Sequence, residues 1–181
     1  MKLYIHVDRG KQLKEGDILN AKEYTKDQHA LTLIKSMIDP SFMEHIARMY
    51  EQGISYHGYR YLVHPIQNKF SFSEWATEVY FEYVRYKEFP ELPSRFQSIF
   101  GWKSLEQAIV FDRDSPIFEI SNETGFFIAD MNLLKMSFNQ HSNEETARKY
   151  WRGERQNDDL NYVPVWEYII NNPVTVRKQI K

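Results

Sequence analysis

The sequence predicts an α+β domain with a mainly antiparallel sheet, and three observations carry that prediction. Strand-like segments stand at both ends of the chain, at residues 3–7, 165–170 and 174–180. Between them lie four places where a serine is followed three residues later by Glu or Gln, the start signal of a helix, each leading into apolar residues. Two short apolar runs, residues 116–120 and 126–130, are separated by Ser121-Asn122-Glu123-Thr124-Gly125, the spacing of a hairpin. Strands grouped at the ends with helices between them point to α+β rather than to an alternating α/β chain.

Taken in order, residues 3–7 alternate around Tyr4 and His6 and predict the first strand. Asp8-Arg9-Gly10 turns it, and residues 13–19 read as a turn leading into a second short extended piece. Residues 20–36 are polar apart from Leu31, Leu33 and Ile34. Ser41 and Glu44 predict a capped helix with Phe42, Ile46, Met49 and Tyr50 on one face and Gly53 at its end. Residues 54–64 read as an aromatic loop running into a strand that Pro65 ends. Ser71 with Glu74 opens the strongest helix, whose stripe is Phe72, Trp75, Ala76, Val79, Tyr80, Tyr83 and Val84.

The central stretch begins at Pro93, and alternation over residues 95–100 predicts a short half-buried strand. Gly101 breaks it, and Ser104 with Gln107 opens a helix that buries Leu105, Ala108 and Ile109. A strand running straight into a capped helix leaves its last residues at the mouth of a sheet, so Arg95 and Ser98 are candidate site residues. Ser142 with Glu145 starts a last helix carrying Ala147, Tyr150 and Trp151 and ending at Gly153. Two final strands flank Asn171-Asn172-Pro173.

The 181 residues read as one domain, 1–181, with aromatic walls to its core or cleft: 12 Tyr, 12 Phe and 4 Trp. A net charge of −2 gives no general attraction to nucleic acid or an anionic membrane. With no cysteine, thiolate metal sites and a cysteine nucleophile are excluded. No apolar run has the length of a membrane span, and residues 1–6 are too short and mixed for a signal peptide, so a soluble, cytoplasmic protein is the expectation. The spacing of His57 and His64 matches no metal motif. Glu167 stands in an otherwise apolar strand, where a carboxylate is costly unless it points at solvent or a cleft. Arg148, Lys149, Arg152 and Arg155 beside Tyr150 and Trp151 form a basic cluster, either a stacking surface for nucleic acid or a solvated helix face.

Three stretches resemble the small ADP-ribosyltransferases. Tyr4-Ile5-His6-Val7-Asp8-Arg9-Gly10 with Leu13-Lys14-Glu15-Gly16-Asp17 resembles their first strand and turn, as found in the rifampin-modifying members. The strand and Leu-Glu-x-Ala helix from Phe96 to Ala108 resemble the middle motif. Trp166-Glu167-Tyr168-Ile169-Ile170 and Pro173-Val174-Thr175-Val176 resemble the closing strand and hairpin. The Pro-Ser-Arg-Phe-Gln-Ser-x-Phe, Ala-Asp-Met-Asn-Leu-Leu and Tyr-Trp-x-Gly-Glu stretches resemble a poorly characterised bacterial domain family grouped with that superfamily.

The resemblance implies a split antiparallel β-sandwich with flanking helices and NAD, as substrate, in the cleft between the sheets. ADP-ribose would pass to an acceptor macromolecule, RNA, DNA or protein, with no metal required. Glu167 is then the catalytic carboxylate, with Ser98 as a second catalytic candidate. His6 would hold a ribose, the Val7 backbone the nicotinamide amide, Arg9 or Arg95 the diphosphate, and Phe100 the nicotinamide ring. Ser98 and Phe100 compete for the position that meets NAD. Val165 stands where arginine-modifying members carry a second glutamate, so arginine is not the expected acceptor. A toxin or phage-conflict effector, with an antitoxin or regulatory partner, fits this picture; the alternative is a catalytically degenerate NAD-binding or nucleic-acid- or host-factor-binding module.

Overall fold

The computed structural model describes residues 2–22, 39–63 and 71–181. In chain order its elements are β1 (Lys2–Val7), β2 (Ile18–Leu19), α1 (Pro40–Gln52), α2 (Tyr56–Gly58), a π-helical turn (Tyr59–Val63) and α3 (Phe72–Glu88). There follow β3 (Ile99–Gly101), α4 (Leu105–Phe111), β4 (Ile117–Asn122), β5 (Phe126–Asp130), a 3-10 turn (Met131–Leu133), α5 (Gln140–Trp151), β6 (Trp166–Ile170) and β7 (Val174–Gln179). The fold is α+β with two antiparallel sheets, one ordered β1-β4-β7-β2 and the other β3-β6-β5.

Alternation decides what each sheet face meets. Tyr4, Phe118, Ile120, Val174 and Val176 of the larger sheet pack against Ile99 and Ile170 of the smaller one, so the space between the sheets is an apolar core. The opposite face of the smaller sheet, with Ala129 and Ile169, lies under α3 and α5 through Phe81, Val84, Ala147, Tyr150 and Trp151. A third cluster joins α1 to α3 and the π-helical turn through Phe42, Ile46, Tyr50, Leu62, Trp75 and Phe96. Each such large apolar side chain removed from water stabilises the fold by about 1.5–3 kcal/mol.

The predicted hairpin of residues 116–130 does not form. β4 pairs with β1 and β7, while β5 pairs with β6, so the turn at residues 121–125 carries the chain from one sheet to the other. Asn171-Asn172-Pro173 crosses back, from β6 to β7. Asn122 pins both crossings: its Nδ2 donates to the Thr124 hydroxyl at 2.7 Å and the Asn171 carbonyl at 2.6 Å, and its Oδ1 accepts from Gly125 N–H at 3.0 Å. Turn spacing alone does not distinguish a hairpin from a crossing, because both need the same turn residues.

The strand over residues 95–100 is shorter than predicted, since only residues 99–101 pair and Arg95, Phe96 and Ser98 are all buried. Alternation placed Arg95 at the mouth of a sheet, whereas carboxylate partners allow it inside. Residues 54–63 form a single bridge at Ile54, then α2 and the π-helical turn, rather than a strand. Ser71 and Glu74 make the reciprocal cap predicted for α3. α1 and α5 start earlier than read, at Asp39 and Asn139, whose side chains accept from Ser41 and Phe42 and from Ser142. Pro40 sits in the first turn of α1, where its missing N–H costs nothing. Leu31, Leu33, Ile34, His64 and Pro65 lie outside the described residues. Among the described residues no helix is long and apolar enough to cross a membrane.

Candidate functional site

The two sheets meet along one seam. Ile5 of β1 and Trp102, just after β3, exchange both backbone hydrogen bonds at 2.9 and 2.7 Å. Antiparallel register would next join Val7 to Phe100, and among the described residues that pair is not made. Instead His6 Nδ1 lies 2.7 Å from the Phe100 carbonyl oxygen. A carbonyl only accepts, so Nδ1 carries the proton and Nε2 is left as an acceptor. Asp8 N–H bonds across to Pro116 of the β4 side, so alternation turns the Val7 N–H the other way, towards the seam, while the Val7 carbonyl accepts from Arg9 N–H at 3.2 Å. Burial pushes the His6 pKa down, against the pull of the Phe100 carbonyl, and the ring is neutral at pH 7.

Beneath the seam lies a buried charge cluster. The Arg95 guanidinium sits 4.6 Å over the Phe100 ring and is 3% exposed. Its Nε and Nη2 donate to the two Glu78 oxygens at 2.8 Å each, and its Nη1 donates to Glu167 Oε1 at 2.6 Å and to the Tyr150 hydroxyl. Tyr150 in turn donates to the same Glu167 Oε1 at 2.7 Å. Both donors therefore reach Oε1, and Glu167 Oε2 accepts no hydrogen bond from the described residues. Burial raises the Glu167 pKa, against the pull of Arg95 and Tyr150. Burial also opposes ionisation of Glu78, but Arg95 and His57 outweigh it and hold its carboxyl well below the usual range.

α2 brings in His57. Its Nε2 lies 3.2 Å from Glu78 Oε2, bent away from the line a hydrogen bond needs. Its ring packs 4.7 Å from both Tyr61 and Phe100. The position of α2 is fixed by Phe96, whose carbonyl accepts from Ser55 N–H at 2.8 Å and from the Ser55 hydroxyl at 3.1 Å. Gly58 allows that approach, since a Cβ there would lie 2.2 Å from the Phe96 oxygen. Gly58→Ala is expected to cost about 1–3 kcal/mol by overpacking against a fixed backbone; a denaturation midpoint equal to the parent's would show that α2 is not held this way.

Arg9 stands at the mouth, in the turn after β1, with its guanidinium 5.1 Å from the Phe111 ring and within electrostatic reach of Arg60, Tyr61, Asp112 and Glu78. The neighbouring Asp8 turns back to hold its own loop, accepting from Gln12 and Leu13 N–H at 2.7 and 2.8 Å. Six of the residues singled out from the sequence thus gather here: His6, Val7, Arg9, Arg95, Phe100 and Glu167. Ser98 does not join them. It lines a separate groove of about 550 Å³ with His45, Arg85, Ser94 and Asn172, which neither His6 nor Glu167 borders. All three nitrogens of the Arg95 guanidinium are engaged by carboxylates and a hydroxyl, whereas Arg9 is exposed. The resemblance implied a site between the sheets, but that space holds apolar side chains and the polar groups sit at the seam and under the helices.

Residues 4–181 match the family described as "Protein of unknown function (DUF2441)". The chain belongs to the DUF2441 family. No curated protein matches it. The matched span contains every residue of the seam and of the charge cluster.

Glu78 and Tyr150 were not singled out as site residues in the sequence, and His57 only as an unconvincing metal ligand. One signal was present: Glu78, Glu82 and Arg85 recur at spacings of four and three, so three charged residues share one face of α3. All three are buried. The basic cluster of α5 has no stacking surface, because Tyr150 and Trp151 are buried in the core. Arg148 pairs with Glu88 and Glu144, and Arg152 with Glu145 and Glu154.

Proposed function

We propose that the chain is an NAD-dependent ADP-ribosyltransferase acting at the β1–β3 seam. The observation that carries this reading is the opened ladder. Past the Ile5–Trp102 pair the ladder stops, leaving the Val7 N–H and the His6 Nε2 with no hydrogen bond to the described residues beside the Phe100 carbonyl, with Glu167 reached through Arg95 behind the Phe100 ring. This juxtaposes the three motifs that resemble the superfamily.

In this reading the Val7 backbone holds the nicotinamide carboxamide, Phe100 packs on its ring, and His6 Nε2 accepts a ribose hydroxyl. Arg9 pairs with the diphosphate, as guanidinium matches phosphate oxygens. The bond from ribose C1′ to the nicotinamide nitrogen breaks with its electron pair leaving on nicotinamide, and C1′ becomes positively charged. Glu167, through its unengaged Oε2, takes a ribose hydroxyl and stabilises that charge. The acceptor bonds to C1′ as nicotinamide departs.

NAD should therefore stabilise the protein to heat, by about 2.7 kcal/mol at a hundred times its Kd. Arg9→Ala should remove a charge-assisted hydrogen bond worth about 1.5–3 kcal/mol and shrink the shift accordingly. A melting curve unmoved by millimolar NAD would sink the proposal. The second reading, NAD binding without catalysis, draws on the Arg95 contact, because a guanidinium already offsets part of the Glu167 charge. It predicts the same thermal shift with no nicotinamide released.

A further inference from the structure

We infer that His57, oriented by Glu78, is the base that takes the proton from the incoming acceptor, and that the acceptor is a neutral hydroxyl or ring or amide nitrogen rather than a group already ionised. The inference rests on the transferase reading of the seam and adds to it a residue with no other role there.

Its geometry sets a carboxylate oxygen 3.2 Å from one imidazole nitrogen, off the line of a hydrogen bond, and leaves the other nitrogen open. Glu78 comes from α3 and is gripped at both oxygens by Arg95, so it is fixed in place and stays ionised. An ionised carboxylate 3.2 Å from Nε2 favours the tautomer with its proton on that nitrogen. Nδ1 then carries the lone pair, and it makes no hydrogen bond with the described residues. The contact to Glu78 is bent, as such bonds commonly are before substrate tightens them. The His57 ring lies 4.7 Å from that of Phe100, tilted by 51°, and Phe100 is the ring assigned to nicotinamide, which puts the imidazole one side chain away from the departing group.

The surroundings suit a base at neutral pH. Glu78 on α3, Tyr61 on the π-helical turn, Arg95 before β3 and Arg9 after β1 are the titratable groups around it among the described residues. Burial leads in lowering the His57 pKa below 6.5, with Arg95 and Arg9 adding to it and Glu78 opposing it. The step balances simply. The acceptor's lone pair bonds to C1′ as the C1′–nicotinamide bond breaks, the acceptor's proton moves to His57 Nδ1, and the imidazolium, paired with Glu78, later returns that proton to solvent. With water as acceptor the products are free ADP-ribose and nicotinamide.

The test measures nicotinamide release from NAD, with water and with cell lysate as acceptor, between pH 5 and 8. The parent rate should hold from pH 8 down to 6.5 and fall below it. His57→Gln should lower the rate about 10²–10⁴-fold, and added imidazole should restore part of it to His57→Ala. Burial raises the Glu167 pKa as well, so the deciding comparison is between variants. An acid limb and a rate that survive unchanged in His57→Gln overturn the base while the transferase reading stands. A parent that releases no nicotinamide under either condition overturns both. If the variants do not fold, nitrogen-15 shifts of His57 in the parent decide: a proton on Nε2 and a bare Nδ1 at pH 7 is the expected state, and the reverse tautomer or an imidazolium overturns it.

Discussion

Arg95→Met should be among the most damaging single substitutions in the charge cluster, with an expected loss of about 3–5 kcal/mol. Arg95 is 3% exposed and serves two carboxylates, of which Glu78 is 7% and Glu167 3% exposed. Removing it leaves both buried without their counter-charge, and the Tyr150 hydroxyl loses a donor as well. Total stability of a domain is about 5–15 kcal/mol, so this one change removes a large share. Arg95→Lys should rescue little. A single ammonium cannot donate along the parallel pair of bonds to Glu78 and also reach Glu167. The cause is separable from simple loss of volume by adding Glu78→Gln and Glu167→Gln to Arg95→Met, which should recover part of the loss by removing the unpaired charges. Guanidinium unfolding provides the measurement. A loss below about 1 kcal/mol, or no recovery in the triple variant, would show that the cluster does not hold the fold in this way.

Glu167→Gln carries the largest expected effect on turnover. The charge that Glu167 is proposed to stabilise develops mainly in the transition state, so NAD affinity should change little while the rate falls. Losing one preorganised electrostatic group typically costs about a hundredfold or more. The structure also explains why this variant should fold. Glutamine keeps an oxygen at the Oε1 position for Arg95 Nη1 and Tyr150, and Glu78 still balances the guanidinium. Burial already raises the Glu167 pKa, so the neutral side chain is tolerated there. Nicotinamide release and NAD affinity are measured on both proteins. Equal release would reduce Glu167 to a strand residue held by Arg95.

The elements that local chemistry specifies were legible. The Ser71–Glu74 cap, the apolar stripe of α3 and the alternation of β1 need only neighbouring residues to be recognised, and the structure contains each. Local signals also misplaced the starts of α1 and α5. Ser-x-x-Glu recurs within the first turn of these helices, and Asp39 and Asn139 do the capping one turn earlier. The candidate site was legible in part. His6, Val7, Arg9, Phe100 and Glu167 stand out by residue type in strand or turn settings, and Arg95 stood out for its place at a sheet mouth. Glu78 and Tyr150 did not: a carboxylate on a helix reads as solvated until its partner is known, and Tyr150 read as one more aromatic of the last helix.

By itself, then, the sequence determined an α+β chain of alternating strands and capped helices, with one carboxylate in an apolar strand that needed an explanation. Periodicity and capping act over a few residues, which is why they can be read from the chain. Only the tertiary structure decided that the predicted hairpin is a crossing between sheets, because pairing partners are chosen by contacts more than forty residues apart, as between Asn122 and Asn171. It likewise decided that Glu167 is buried and gives one of its two oxygens to an arginine that came from 72 residues away. A buried charge is affordable only beside its counter-charge, and the distance along the chain between the two hides that pairing from any local pattern.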